Sequence, residues 1–120
     1  SKELGRFGEA WAAGYLTRHG YAILKRNVRY RAGEIDIIAR DGADLVFIEV
    51  KCRQTRLFGS PEESISQARF KRLSAAVELY LQEHGSEQDS IRVDVMAIEV
   101  GTDGRVQRSE LLRNVEAPLW

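Results

Sequence analysis

Apolar residues recur at helical spacing near the start of the chain, within residues 2–19. The stripe consists mostly of large side chains: Leu4, Phe7, Trp11, Tyr15 and Leu16. This period predicts an amphipathic helix. His19-Gly20 supplies its end, because glycine readily adopts the left-handed conformation that terminates helices.

A second helix is predicted from Ser60 to about Glu83. Ser60 suits the cap, Pro61 suits the first helical position, and Glu63 follows three residues after the cap. The apolar stripe of this segment comprises Ile65, Ala68, Leu73, Ala76, Val77, Tyr80 and Leu81. We expect His84-Gly85 to end this helix as His19-Gly20 ends the first.

Runs of apolar and β-branched residues predict the strands. They fall at residues 21–30, 34–40, 45–52 and 91–100, with a short edge strand near 105–109. The turn residues 41–44 join the second run to the third as a hairpin. The predicted class is α/β: a mixed sheet flanked by helices in the order α-β-β-β-α-β, with a short extra strand, in a single domain over residues 1–120.

Composition and charge narrow the class of protein further. The 120 residues carry no net charge and are 43% hydrophobic, which favours a folded chain and excludes nucleic-acid binding by total charge alone. One Cys, no apolar run of membrane-spanning length and no signal-peptide pattern predict a cytoplasmic protein without a membrane partner. The charge is uneven, because residues 1–73 carry 14 Lys+Arg against 9 Asp+Glu, and residues 74–120 carry 4 against 9.

The predicted hairpin carries three candidates for catalysis: Asp36, Glu49 and Lys51. Glu49 and Lys51 lie two residues apart, so they project from the same face of their strand. If Gly42-Ala43 is a two-residue loop, Asp36 opposes Glu49. A loop of residues 41–42 would place Asp36 diagonal to Glu49 on that face, and a three-residue loop without a bulge would separate them.

Opposed carboxylates among apolar strand residues repel each other and lose hydration. A divalent cation such as Mg²⁺ would remove that conflict, because carboxylate oxygens are its preferred ligands. Lys51 would then orient a water nucleophile or neutralise charge on a phosphate. The alternative interpretation of Asp36, Glu49 and Lys51 is an ion pair on a solvated sheet face.

The combination of motifs resembles a known family. The matching segments are Gly8-Glu9, Asn27, Gly33-Glu-Ile-Asp36, Phe47-Ile-Glu-Val-Lys51, Gly59-Ser-Pro61 and Arg92-Val-Asp94. They are similar to YraN-like bacterial proteins, a branch of the PD-(D/E)XK nuclease superfamily, and cover nearly the whole chain. One departure is Ile35, where the superfamily name has Pro, at a position that varies among relatives.

The resemblance implies a restriction-endonuclease-like core that binds Mg²⁺ or Mn²⁺ at Asp36 and Glu49. It also implies kinship with Holliday-junction resolvases, which place a Glu in the first helix, so Glu9 is a further metal-site candidate. Related nucleases often use a Gln or Lys in the second helix, which makes Gln67 a catalytic candidate one turn inside it. Because junction resolvases work as dimers, a homodimer is a candidate assembly.

Basic residues near these motifs are the expected phosphate contacts: Arg26, Arg29, Arg31, Arg53, Arg69 and Lys71. A solvated basic face is the competing interpretation. We expect Asp94 to be buried with a structural role, and Cys52 to face away from Lys51.

The predicted function is a Mg²⁺-dependent endonuclease that hydrolyses phosphodiester bonds in DNA, with branched and single-stranded DNA as candidate substrates. Two alternatives are a non-catalytic nucleic-acid-binding module and a structural interaction protein that retains the nuclease fold.

Overall fold

The computed structural model describes residues 2–54, 66–85 and 89–116. The elements are α1 (Lys2–Arg18), β1 (Ala22–Tyr30), β2 (Gly33–Asp41), β3 (Asp44–Arg53), α2 (Gln67–His84), β4 (Ser90–Val100) and β5 (Val106–Leu112). The predicted α/β class and element order are confirmed, and the expected edge strand is present as β5. Neither helix in the described segments is long and apolar enough to cross a membrane.

The five strands form one mixed sheet in the order β1-β2-β3-β4-β5. Neighbouring strands are antiparallel except β3 and β4, which pair in parallel because the segment containing α2 carries the chain back between them. Alternate residues of β3 enter two cores. Val46 and Ile48 pack with α1, whereas Leu45 and Phe47 pack with α2, so the helices cover opposite faces of the sheet.

The predicted stripe of α1 packs on the sheet through Leu4, Trp11, Tyr15 and Leu16, with small residues between them at the closest contact, and Phe7 is the exception. Gly8, Ala12 and Leu16 are buried, whereas Phe7 is 39% exposed. A Cβ atom at Gly8 would lie 2.6 Å from the Cβ of Cys52 on β3. The absence of a side chain at Gly8 therefore permits this close approach, which also brings the adjacent Glu9 to the sheet.

The start of α2 corrects the prediction of one helix from residue 60 to 83. Ser66 has extended backbone (ψ 164°), and its Oγ accepts a hydrogen bond from the Arg69 N–H at 3.1 Å. The helix therefore begins at Gln67 with Ser66 as its cap. The expected cap at Ser60 lies outside the described residues.

The two helices also end differently, although similar ends were predicted. Gly20 has the left-handed φ of 90° expected after α1. Gly85 instead has an extended backbone with φ −78°, and its N–H donates to the Leu81 carbonyl. The α2 cap thus satisfies a terminal carbonyl without a left-handed residue.

A buried polar network fixes the end of the sheet where the β2–β3 hairpin turns. Asp94 is fully buried and accepts hydrogen bonds from Tyr21 Oη at 2.8 Å and Arg92 Nε at 3.0 Å. Arg92 also donates to Asp41 and Asp44 at 2.8 Å each. These bonds join the hairpin turn, β4 and the segment after α1, and give Asp94 the structural position that we predicted.

Substituting Gly8 tests whether close approach of α1 determines the packing. We expect Gly8→Ala to lower the free energy of unfolding by about 1–3 kcal/mol, because the added Cβ forces α1 away from Cys52. Gly5→Ala is the matched control, since its Cβ would meet nothing within 4 Å. Urea unfolding measures both, and equal effects of the two substitutions would contradict this account.

Candidate functional site

The hairpin register places Asp36 opposite Glu49. The ladder between β2 and β3 runs from the Asp41–Asp44 pair to the Ile37–Ile48 pair, so Gly42-Ala43 is the loop. Asp36 and Glu49 occupy the next position after the last pair. The two-residue loop is therefore the correct alternative among those predicted, and it brings Asp36 and Glu49 to the position just beyond the last pair.

Beyond that last pair, β2 and β3 separate. Residues 33–36 continue along β1, and residues 49–53 continue along β4; we call the opening between these two segments the fork. The Val50 N–H points into the fork and donates to Asp36 Oδ2 at 2.8 Å. The Asp36 carboxylate thus satisfies a strand N–H and is fixed in the gap.

Of the two carboxylates at the fork, Glu49 is buried and Asp36 is half-buried. Glu49 is 2% exposed, and burial raises its pKa although the Arg69 guanidinium opposes the change. Burial, followed by the charge of Glu49, raises the pKa of Asp36 to about 7 against the hydrogen bond from Val50. Near neutral pH Asp36 therefore holds a proton in part of the molecules, as expected where carboxylates share a buried site.

Glu9 approaches the fork from α1. It is 8% exposed and accepts a hydrogen bond from Arg26 Nε at 3.4 Å. Its negative charge contributes to the raised pKa of Asp36. The third predicted carboxylate is therefore electrostatically coupled to Asp36 from a different element of the fold.

Cations face these carboxylates from β3 and α2. Arg69 Nε donates to Glu49 Oε1 at 2.6 Å. Lys51 is half-buried, and burial together with the charges of Arg69 and Arg53 lowers its pKa. A lysine with a lowered pKa exchanges a proton with a neighbouring group more readily than an exposed lysine does.

The donor set suits a hard cation with few protein ligands. In the portion of the chain that the structure describes, no group of three or more His, Cys, Asp or Glu side chains is arranged to hold a metal ion. Mg²⁺, however, is usually bound by one or two carboxylates together with waters or phosphate oxygens. Asp36 and Glu49 satisfy that smaller requirement, but a cation at Glu49 must compete with Arg69.

Two clefts adjoin each other at the fork. A cleft of about 370 Å³ lies between β3 and α2, and one of about 560 Å³ lies between α1 and the sheet. Glu34, Lys51 and Arg69 line both of them. Glu49 lines the first cleft, whereas Asp36 and Glu9 line the second. All four carboxylates therefore line one or the other of these two adjoining clefts, which together we call the groove.

Only part of the predicted basic set lies along this groove. Arg29 lines it and forms a 3.9 Å ion pair with Glu34, and Arg69 lines both clefts. Arg26 donates a hydrogen bond to Glu9. The remaining predicted phosphate contacts are Arg31, Arg53 and Lys71, and none of them is among the described residues that line the groove. Arg31 and Lys71 are exposed, and Arg53 is half-buried.

Gln67 is not one turn inside α2 as predicted. It is the first residue of the helix and is exposed, because the helix is capped by Ser66 rather than by a residue near 60. Gln67 is also absent from the described residues that line the groove. The main contributions of α2 to that lining are Arg69 and Arg72.

Two features of the site were not predicted from the sequence. The first is the contribution of Lys2 and Arg6, which line the larger cleft from α1; their spacing of four places them on one helix face. The second is the ion pair between Arg69 and Glu49. Its signal is a basic residue in the first turn of a helix, where the helix dipole favours acidic residues.

The fold and groove define an α/β domain that gathers carboxylates, a lysine and an arginine where two strands separate. The uncharacterised protein family UPF0102 matches residues 8–98, and the chain belongs to that family. This confirms the predicted YraN-like resemblance at the family level. The matched range contains all the carboxylates of the groove.

Relatives in this family match the chain over most of its length. A UPF0102 protein of Symbiobacterium thermophilum is 48% identical over 114 residues, which cover 95% of this chain and 96% of the relative. A UPF0102 protein of Dictyoglomus turgidum is 39% identical over 114 residues, covering 95% and 97%. One of Chlorobium chlorochromatii is 47% identical over 98 residues, covering 82% and 75%.

The raised pKa of Asp36 predicts how stability changes with pH in EDTA. Because the folded pKa of about 7 exceeds the ordinary value of 3.8, the native state binds more protons between these values, and stability falls as pH rises through them. Asp36→Asn removes the charge and keeps an acceptor for Val50. We expect the variant to gain stability over the wild type from about pH 4 to pH 7, by at most about 1.4 kcal/mol per pH unit.

Urea unfolding at several pH values measures this difference. Asp103→Asn is the control, since Asp103 is exposed in the turn after β4. A stability difference between the wild type and Asp36→Asn that does not vary with pH would contradict the raised pKa.

Proposed function

We propose that this protein is a Mg²⁺-dependent nuclease that hydrolyses phosphodiester bonds in DNA. The observation that carries the proposal is the convergence of Asp36, Glu49 and Lys51 at the fork, with Glu9 added from α1. These residues are the ones that the resemblance to PD-(D/E)XK nucleases selects from sequence. Their proximity in the fold supports that kinship independently of the motif.

Asp36 and Glu49 would hold the cation, and Glu9 would bind it directly or through water. The bound cation would polarise a phosphoryl oxygen and make its water a stronger nucleophile. These carboxylates favour such a ligand, because a cation offsets both the burial and the repulsion by Glu49 that raise the pKa of Asp36.

Lys51 would act on the phosphate that is cut. Its position two residues after Glu49 places it on the same face of β3, and it lines both clefts. From there the ammonium group can orient the attacking water or neutralise charge that builds on the phosphate.

The groove suits a nucleic-acid backbone better than a neutral substrate. Arg29 and Arg69 line it from the sheet and from α2, and Lys2 and Arg6 line it from α1. Such residues contact phosphates and orient a strand without reading its sequence. Branched and single-stranded DNA are the proposed substrates.

A second candidate is a nucleic-acid-binding module that does not cut. The ion pair between Arg69 and Glu49 favours it, because the guanidinium already neutralises a carboxylate that a nuclease would give to its cation. In that case the basic groove would bind DNA, and the fork would be structural.

Cleavage assays separate these functions. Labelled single-stranded, duplex and four-way-junction DNA are incubated with Mg²⁺, with Mn²⁺ and with EDTA. We expect cation-dependent cutting that falls by about 100-fold or more in Glu49→Gln and in Lys51→Ala, because each removes a group that acts on the transition state. Glu34→Gln is the matched control from the same groove, and we expect it to retain activity within about threefold.

The other outcomes are equally informative. Cutting that persists in EDTA, or in both Glu49→Gln and Lys51→Ala, would contradict the proposed site. Binding without cutting supports the second candidate. If the protein neither binds nor cuts any of these DNAs, both nucleic-acid functions are wrong.

A further inference from the structure

Arg69 lies where the local helix structure disfavours its charge. It is the third residue after the Ser66 cap, and its N–H donates to Ser66 Oγ at 3.1 Å. The first turn of α2 contains no acidic residue. Since the start of a helix carries partial positive charge, the guanidinium needs compensation from outside α2.

Glu49 supplies that compensation, but the two partners are buried to very different degrees. Arg69 Nε lies 2.6 Å from Glu49 Oε1; the Glu49 side chain is 2% exposed, whereas the Arg69 side chain is 39% exposed. Asp36 and Glu34 add to the attraction on Arg69. Glu49 is therefore fixed in the interior, whereas Arg69 reaches the open groove and can move without unpacking the core.

We propose that Arg69 is an internal counter-ion, which occupies the carboxylate site until a divalent cation and a phosphate replace its contacts. A cation at Asp36 and Glu49 repels the guanidinium, which turns into the groove. There a phosphate diester offers it a new, charge-assisted partner. This inference rests on the proposed function and deepens it, because it makes Arg69 a positioning residue that couples cation binding to substrate binding.

The exchange gives two linked properties. The cation alone binds weakly, because it must displace Arg69 without giving it a new partner. DNA strengthens cation binding by accepting the displaced guanidinium, and the cation strengthens DNA binding by the same factor, since coupling between two ligands is reciprocal.

Mn²⁺ affinity tests the counter-ion directly, with free Mn²⁺ measured by electron paramagnetic resonance. We expect Arg69→Gln to bind Mn²⁺ about fivefold or more tightly than the wild type in the absence of DNA. Arg72→Gln is the matched control. Arg72 lies one turn after Arg69 on α2 and lines the same groove, and its substitution removes the same charge. We expect Arg72→Gln to change the Mn²⁺ affinity by less than about twofold.

The coupling is measured in a Lys51→Ala background, in which we expect cutting to be too slow to consume the DNA during the measurement. Addition of a single-stranded oligonucleotide should tighten Mn²⁺ binding about fivefold or more when Arg69 is present. The same oligonucleotide should have less than half of that effect when Arg69→Gln is added. A merely structural Arg69 would not change this ratio.

Nuclear magnetic resonance of the wild type tests the same contact without any substitution. The Arg69 Nε–H signal should show the strong hydrogen bond to Glu49 in EDTA and lose it at saturating Mg²⁺. An unchanged signal at saturation would overturn the inference, as would an Arg69→Gln variant that is folded, by its thermal melting curve, and binds Mn²⁺ no more tightly than the wild type.

The results also distinguish this inference from the proposed function. Tighter Mn²⁺ binding by Arg69→Gln without any DNA cutting supports the counter-ion and contradicts the nuclease. Cutting by a wild type whose Arg69 contact does not respond to Mg²⁺ supports the nuclease and overturns the counter-ion.

Discussion

The hydrogen bond from the Val50 N–H to the Asp36 carboxylate is the interaction on which the candidate site depends. Neighbouring strands normally satisfy each other's backbone groups, and a buried N–H without a partner is costly. Where β2 stays paired with β1 and β3 continues along β4, the side chain of Asp36 accepts a hydrogen bond from the Val50 N–H at the point of separation. The fork can therefore stay open without leaving the Val50 N–H unpaired. The same hydrogen bond fixes the Asp36 carboxylate beside Glu49.

Close approach of both helices completes the site from opposite faces of the sheet. Gly8 allows α1 to lie against Cys52, which carries Glu9 to one side of the fork. Gly33 allows the backbone of α2 to pass close at Arg72, which holds the start of that helix, and thus Arg69, beside the fork. In both places a side chain on the glycine would occupy space that the partner element fills. Packing thus assembles the groove from residues that are far apart in sequence.

How much of this could be predicted from sequence depends on the range of the interaction. The hairpin, its register alternatives and the shared face of Glu49 and Lys51 follow from the two-residue period of strands. The start of α2 was mistaken because residues 60–63 carry a strong capping pattern, whereas Ser66 provides the cap used. The ion pair between Arg69 and Glu49 joins two elements 20 residues apart, and no local pattern specifies which basic residue reaches a buried carboxylate.

Arg92 and Arg69 both meet buried carboxylates, and the difference between their surroundings explains why Arg92 is fixed and Arg69 is exchangeable. Arg92 donates to Asp41, Asp44, Asp94 and Tyr21, with its side chain 9% exposed, so its removal would break several hydrogen bonds at once and leave the buried Asp94 carboxylate without its counter-charge. Arg69 donates to the single buried carboxylate of Glu49 and keeps much of its side chain in solvent. Because a buried ion pair gains little net free energy after desolvation, a cation can replace Arg69 at Glu49 at small cost once a phosphate gives the displaced guanidinium a new partner. The Arg92 network therefore stabilises the hairpin turn at one end of the sheet. Arg69 has one buried partner and an accessible side chain, so the fork at the other end can exchange its counter-ion.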